Sequence, residues 1–263
     1  MLKRITVLTS SYAILTAFFL MLALTVRGEE AKPSLLDSQS IDGTWVGTVA
    51  FTTEYMGRGL TNTGTGVGAV QSGLEFDHRS GVYIGAWGSN VKLAAPNDKA
   101  NLELDYSAGY RGEITDALSY DFQATYFSYP GAKRSDGLAF DYFEYRAKMS
   151  YDLDAVAPEF SINYAPDYQY QSGSEWYLDW DVDIPIGRYF MGRLHLGREM
   201  VDNNAHVGFR DYWDYGASLG TNIAGLDVTL RYNSIDLHSG SNGLGSCGTA
   251  ACSRFVLTVS KQF

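Results

Sequence analysis

Residues 253–263, Ser-Arg-Phe-Val-Leu-Thr-Val-Ser-Lys-Gln-Phe, alternate between two kinds of side chain. Phe255, Leu257, Val259 and Phe263 fall on one face, interrupted by Lys261, and Arg254, Thr258, Ser260 and Gln262 fall mostly on the other. A period of two is that of a β-strand with one apolar and one polar side. The same pattern recurs upstream. Leu102, Leu104, Tyr106, Ala108 and Tyr110 oppose Glu103, Asp105, Ser107 and Arg111, and Phe143, Tyr145, Ala147, Met149 and Tyr151 oppose Glu144, Arg146, Lys148 and Asp152. Trp176, Leu178, Trp180, Val182 and Ile184 oppose Glu175, Asp179, Asp181 and Asp183, and Leu226, Val228, Leu230 and Tyr232 oppose Asp227, Thr229, Arg231 and Asn233. Twelve candidate strands follow from Thr44 onward: 44–58, 67–78, 81–91, 101–112, 117–129, 140–151, 157–170, 174–184, 188–200, 206–219, 225–236 and 253–263. No helical period or solenoid repeat competes with them. The expected fold class is all-β, an antiparallel up-and-down barrel over residues 44–263.

The connections alternate in length. His78–Gly81, Pro185–Gly187 and Gly220–Ala224 are tight, whereas Gly59–Gly66, Lys92–Ala100, Pro130–Ala139 and Leu237–Cys252 are longer. Two connections, near Gln171–Gly173 and Asp152, blur the rule. An even strand count with short turns on one rim and longer loops on the other is the asymmetry of a bacterial outer-membrane barrel. A soluble lipocalin-like barrel also alternates, but with its apolar face inward. Strands of about 10 residues cross a tilted bilayer. Tyr55, Tyr83, Trp87, Trp176, Trp180 and Trp213 lie near predicted strand ends, where interfacial girdles belong. The charged face is therefore expected to line a lumen and the apolar face to meet lipid.

The N-terminus supports export. Lys3 and Arg4 precede an apolar run from Ile5 to Val26, and Val26-Arg-Gly28 precedes Glu29-Glu30. Residues 1–28 read as a signal peptide, with an uncleaved anchor as the alternative, and residues 29–43 as a polar leader. Without the signal, 17 basic residues face 30 acidic ones, a net charge of −13. Such a chain has no electrostatic reason to seek nucleic acid.

The lumen-lining candidates are Glu54, Arg58, Glu103, Asp105, Arg111, Glu144, Arg146, Lys148, Asp179, Asp181, Asp183, Arg193, Arg210, Asp227 and Arg231, with Asp121, Glu175, Asp214 and Arg254 on the same face. Paired charges could brace the wall, and an acidic excess could favour cations as rings of Asp and Glu do. Twelve strands lie between barrels filled by side chains and barrels with open channels, so size alone does not decide. The Asp179/Asp181/Asp183 stripe stands out, because three carboxylates on alternate positions repel unless cations or basic neighbours compensate. His195 is expected on the lumen side beside Arg193.

Other motifs carry less. Gly216-Ala-Ser-Leu-Gly220 matches the hydrolase G-x-S-x-G string, but Ser218 lies near a strand end with no helix after it. Gly243–Gly248 matches G-x-G-x-x-G in a loop with no following helix. The four histidines show no metal spacing, so no catalytic residue, metal or cofactor is expected. Cys247 and Cys252, in a loop and in an oxidising compartment after export, are expected to form a disulfide.

Several segments together resemble the TorF-type porin family of proteobacterial outer-membrane proteins. They are Val49-Ala-Phe-Thr-Thr-Glu-Tyr-Met-Gly-Arg-Gly59, Gly81-Val-Tyr-Ile-Gly-Ala-Trp-Gly-Ser-Asn-Val91, Leu102-Glu-Leu-Asp-Tyr-Ser-Ala-Gly-Tyr110, Asp211-Tyr-Trp-Asp-Tyr215 and Val259-Ser-Lys-Gln-Phe263. The Thr- and Gly-rich stretch Leu60–Gly68 and the Cys247–Cys252 loop depart from it. The resemblance implies a Gram-negative outer-membrane barrel acting as a pore for small hydrophilic solutes, surrounded by outer-membrane lipid. Its terminal strand, ending in Phe263, would engage the barrel-assembly machinery. The acidic lining adds an expectation of weak cation selectivity. The alternatives are a closed structural or loop-binding barrel and a lipid-modifying outer-membrane enzyme.

Overall fold

The computed structural model describes residues 42–64, 66–94, 99–132, 140–237 and 253–263. Twelve antiparallel strands form a closed barrel. They are β1 (Gly43–Thr52), β2 (Ala69–His78), β3 (Val82–Ala94), β4 (Lys99–Glu113), β5 (Leu118–Ser128) and β6 (Tyr142–Tyr151). The second half comprises β7 (Ala157–Ala165), β8 (Glu175–Ile186), β9 (Phe190–Val201), β10 (Tyr212–Ile223), β11 (Leu226–Ile235) and β12 (Ser253–Gln262). Each strand pairs with its sequence neighbours, and β12 closes on β1 with Phe51 opposite Val259 and Thr48 opposite Gln262. Gly47 and Phe263 then exchange backbone hydrogen bonds at 2.8 and 3.0 Å. A Cβ at Gly47 would sit 2.6 Å from the Phe263 ring, so the absent side chain is what lets the terminal aromatic lie over the seam.

The pleat decides which face is which. In β6, Phe143, Tyr145 and Met149 are exposed while Tyr142 and Glu144 are buried. Leu230 is 50% exposed and Phe255 71%, whereas Glu103 is 2%, Glu175 0% and Glu199 1% exposed. A single-layer barrel can bury a side chain only in its interior. The carboxylates therefore point inward and the apolar residues outward, the reverse of a water-soluble barrel and the arrangement lipid requires. Among the described residues no helix is long and apolar enough to cross a membrane.

The two rims differ in the lengths of most of their connections. Short turns join β2–β3, β4–β5, β6–β7, β8–β9 and β10–β11 on the rim that also holds Gly43 and Phe263. The other rim carries the longer connections except β3–β4, where the strands run on to Ala94 and from Lys99, so the long Lys92–Ala100 connection expected from the sequence shrinks to residues 95–98. The first predicted strand stops at Thr52 rather than residue 58. The chain there leaves the wall, and Met56–Gly57 pairs with Leu60–Thr61 as a small hairpin of its own. The seventh predicted strand ends at Ala165, followed by a single turn at Gln169–Gln171. The tenth begins at Tyr212 rather than 206, after a turn of helix at Asn204–Val207. In each case a periodic-looking segment belongs to a long-rim connection, so the connections that seemed short are long.

Three girdle assignments are corrected. Tyr83 is buried with its hydroxyl donating to Asp121 at 2.7 Å, and Trp87 faces the interior against Tyr55, with ring centroids 5.6 Å apart. Strand β3 presents Val82 and Ile84 to the outside, so Tyr83 and Trp87 must point in. Trp176 and Trp213 are exposed on the outer face near the long rim, as expected of a girdle. The expected signal peptide, all of the leader but residues 42–43, and the Cys247–Cys252 disulfide lie outside the described residues.

Candidate functional site

The interior holds three levels of charge. At the long-rim mouth, the β1–β2 connection folds inward. The hairpin turns at Arg58 and Gly59, both left-handed with φ of 47° and 76°. Positive φ at both central residues is what a two-residue turn of the primed type demands. Gly59 meets this without penalty, and a Cβ there would strike Ile235 and the Asp214 side chain. Arg58 adopts the same region as a non-glycine, an uncommon state that its surroundings must hold.

Those surroundings are carboxylates. Arg58 Nη1 donates to Glu175 Oε1 at 2.7 Å and Glu199 Oε2 at 3.2 Å, and Nη2 pairs with Glu144. Glu144 lies near the start of β6, Glu175 begins β8 and Glu199 lies near the end of β9, so all three converge at the long-rim end of the wall. These strands lie across the ring from β1, which means the hairpin spans the bore. The Arg58 guanidinium lies 4.6 Å from the Tyr177 ring centroid and 5.9 Å from that of Tyr168, and Tyr212 donates to the Arg58 carbonyl at 2.9 Å. Burial works against its charge, but Glu144, Glu175 and Glu199 outweigh it and hold Arg58 above its ordinary pKa. Elsewhere in the loop, Glu54 pairs with Arg254 at 3.2 Å and Tyr55 donates to Glu103 at 3.4 Å.

The next level centres on His195. Its Nδ1 lies 3.0 Å from Asp181 Oδ1 and 3.3 Å from Asp179 Oδ1, and its Nε2 lies 2.7 Å from Asp214 Oδ1. Tyr177 donates to Asp214 at 3.1 Å. One ring thus ties carboxylates of β8 and β10 together from β9 between them. Asp179, Asp181 and His195 also offer ligand atoms within 4.8 Å of one another, a spacing that could hold a metal ion. With a carboxylate facing each ring nitrogen, hydrogen bonding accounts for the geometry.

Below it, Arg193 grips Asp183 through two 2.6 Å hydrogen bonds and lies 3.7 Å from Asp181. The stripe of three aspartates is therefore compensated from the neighbouring strand, since β8 and β9 place Asp183 opposite Arg193 and Asp181 opposite His195. On the adjoining strands Lys148 of β6 reaches Glu159 of β7 at 3.0 Å and Arg146 reaches Asp121 of β5 at 3.5 Å, and further round the ring Arg111 pairs with Glu75 at 2.6 Å over the Tyr83 ring. A cavity of about 510 Å³ remains between the loop and the wall, bounded by Glu54, Trp87, Asp183, Arg193, Ser218 and Arg231 among others.

Two candidates lie at the rims. Arg210 sits in the β9–β10 connection, where its guanidinium donates to the carbonyls of Asp211 and Asp236, so it caps the long rim rather than lining the bore. Asp227 accepts from Asn222 at 2.8 Å beside the β10–β11 turn. Ser218 is in mid-β10, opposite Arg193 and Arg231, not on a strand-to-helix elbow. Sequence reading missed Glu199, which shares the parity of Arg193 and His195, and missed that Arg58 reaches the interior from a loop. The Arg58-Gly59 pair was the available signal for that turn.

This architecture defines a class: a transmembrane β-barrel with a charged, partly blocked interior, built as outer-membrane porins are. The chain belongs to the bacterial family Gcw_chp, described as a bacterial protein of unknown function, which matches residues 39–263. The fold is similar to that of the KdgM porin, at 7% identity and a TM-score of 0.53, covering 83% of this chain and 99% of that one. It is similar to the NanC porin at 10% identity and a TM-score of 0.50, covering 82% and 98%. The COG4313 outer-membrane channel from Pseudomonas putida F1 aligns at 10% identity and a TM-score of 0.50, covering 89% and 100%. No curated protein matches the chain in sequence.

Proposed function

We propose that this protein is an outer-membrane channel for passive diffusion of small hydrophilic solutes, with a preference for cations. The observation that carries this reading is the inverted barrel, apolar outside and lined inside by carboxylates that outnumber their basic partners. Such a lining stabilises water and cations in the bore and raises the barrier for anions. Fold likeness to the KdgM and NanC porins supports it. Export through residues 1–28, kinship with TorF-type porins, a Cys247–Cys252 disulfide and assembly through the strand ending in Phe263 belong to the same reading.

A second reading, a closed structural barrel, is favoured by the Arg58 hairpin across the bore. Liposome swelling separates the two. Proteoliposomes of the channel swell in small neutral sugars and amino acids at rates that fall with solute size, whereas a closed barrel leaves them at the rate of empty liposomes. Asp179→Asn with Asp181→Asn removes two charges from the stripe and lowers the flux of cationic relative to neutral solutes. An unchanged ratio would remove the stripe from the permeation path.

A further inference from the structure

We infer that Arg58 is an internal stand-in for a cationic solute: the Glu144/Glu175/Glu199 box is a binding site for a guanidinium or alkylammonium group. A solute entering it releases the hairpin from the bore. The inference rests on the channel reading and deepens it by naming the solute class and the step that admits it.

Three features make the box a ligand site rather than an ordinary ion pair. First, it is overbuilt for its occupant. Three carboxyl groups from β6, β8 and β9 surround one guanidinium, more acceptor oxygens than its hydrogen bonds satisfy. Second, Glu175 and Glu199 are fully buried, yet Glu175 Oε2 and Glu199 Oε1 have no hydrogen-bond partner. Buried carboxylate oxygens without donors are costly and call for a further donor. Third, the box has the shape of a cation receptor. Tyr177 presents its ring to the guanidinium at 4.6 Å, and aromatic faces recognise organic cations in this way.

The present occupant is also exchangeable in principle. Arg58 is carried by a two-rung hairpin, Met56 opposite Thr61 and Gly57 opposite Leu60, and not by the barrel wall. The wall carboxylates are on strands fixed by full-length pairing. Competition therefore sets a tethered guanidinium against a free one. A short flexible tether gives an effective concentration of the order of millimolar, so free solute competes in that range. The unpartnered oxygens favour a ligand with cationic donors at both ends, one on the box and the other on Glu103 or Asp105, whose Oε2 and Oδ1 are likewise buried without partners on β4. Agmatine, with a guanidinium and an amine, is the probe.

The test uses full-length folded barrel. Arg58→Ala empties the box, and agmatine binding is followed by titration calorimetry in detergent at fixed ionic strength. Agmatine is expected to bind this variant at least tenfold more tightly than wild type, and guanidinium more weakly than agmatine. Glu175→Gln with Glu199→Gln added to Arg58→Ala is expected to weaken binding at least tenfold. In wild type, agmatine is expected to speed amide hydrogen exchange across residues 53–64, while sodium at equal ionic strength does not. That second arm decides the matter if Arg58→Ala fails to fold. Equal binding in all variants, or loop exchange indifferent to agmatine, would overturn the inference. Planar-bilayer recording separates it from the channel reading. Agmatine binding in a barrel that never conducts would retain the receptor and sink the channel, and conduction without agmatine binding would do the opposite.

Discussion

An arginine placed at Leu230 probes which side of the wall meets lipid. Leu230 is the fifth of ten residues in β11 and points outward at 50% exposure, and Leu226, 41% exposed, starts the same strand at the short-turn rim. In a bilayer an outward arginine costs about 2–4 kcal/mol at the midplane and about 0–1 kcal/mol near the interface. Leu230→Arg should therefore lower folding stability by about 2–4 kcal/mol, a factor of roughly 30 to 900 in the folding equilibrium, and Leu226→Arg by about 1 kcal/mol or less. If the outer face met water, both would behave as ordinary surface substitutions within about 0.5 kcal/mol. The assay is reversible denaturant unfolding of barrel inserted in phospholipid vesicles, followed by tryptophan emission and the heat-modifiable gel shift. Equal, small effects at both positions would refute the outward-lipid assignment. So would a larger effect at Leu226 than at Leu230.

Two more predictions address the lining and the seam. Arg193→Met removes the bidentate partner of Asp183 and leaves His195 to pair with Asp181; because Arg193 is partly exposed, the stability loss should be modest, about 1 kcal/mol by denaturant titration. The same variant should become more cation-selective, and a shift toward anions would contradict the charge map. Gly47→Ala puts a methyl against the Phe263 ring and should cost about 1–3 kcal/mol through overpacking, lowering the temperature at which the folded gel band is lost. Phe263→Ala in the same chain should recover part of that loss, and no recovery would mean that the clash is elsewhere.

The architecture was legible because a wall one residue thick writes its two environments directly into a period of two. Strands β4, β6, β8 and β11 carry that code without ambiguity, and the predicted faces of all four stand. Where both faces are aromatic or small, as in β3, the pattern loses contrast, and Tyr83 and Trp87 went to the wrong side. Loops that mimic strand periodicity cost accuracy at residues 53–58, 166–170 and 206–211. Within the site, the inward aspartate stripe and the inward placing of His195 beside Arg193 followed from parity, whereas the pairing of the stripe with those two residues comes from the β8–β9 register. The Arg58 cluster did not, because its partners are 86, 117 and 141 residues away along the chain and meet only when a loop turns inward across a closed ring. No local pattern encodes such a crossing, although the left-handed Arg58-Gly59 turn prepares it.

The central claim is an aqueous, acid-lined path through the barrel. Reversal potential across a planar bilayer holding purified, refolded protein under a tenfold potassium chloride gradient tests it most directly. The account predicts discrete conductance steps with a reversal potential displaced toward the potassium equilibrium potential, and a smaller displacement for Asp179→Asn with Asp181→Asn. A silent bilayer, or a potential displaced toward chloride, would contradict it.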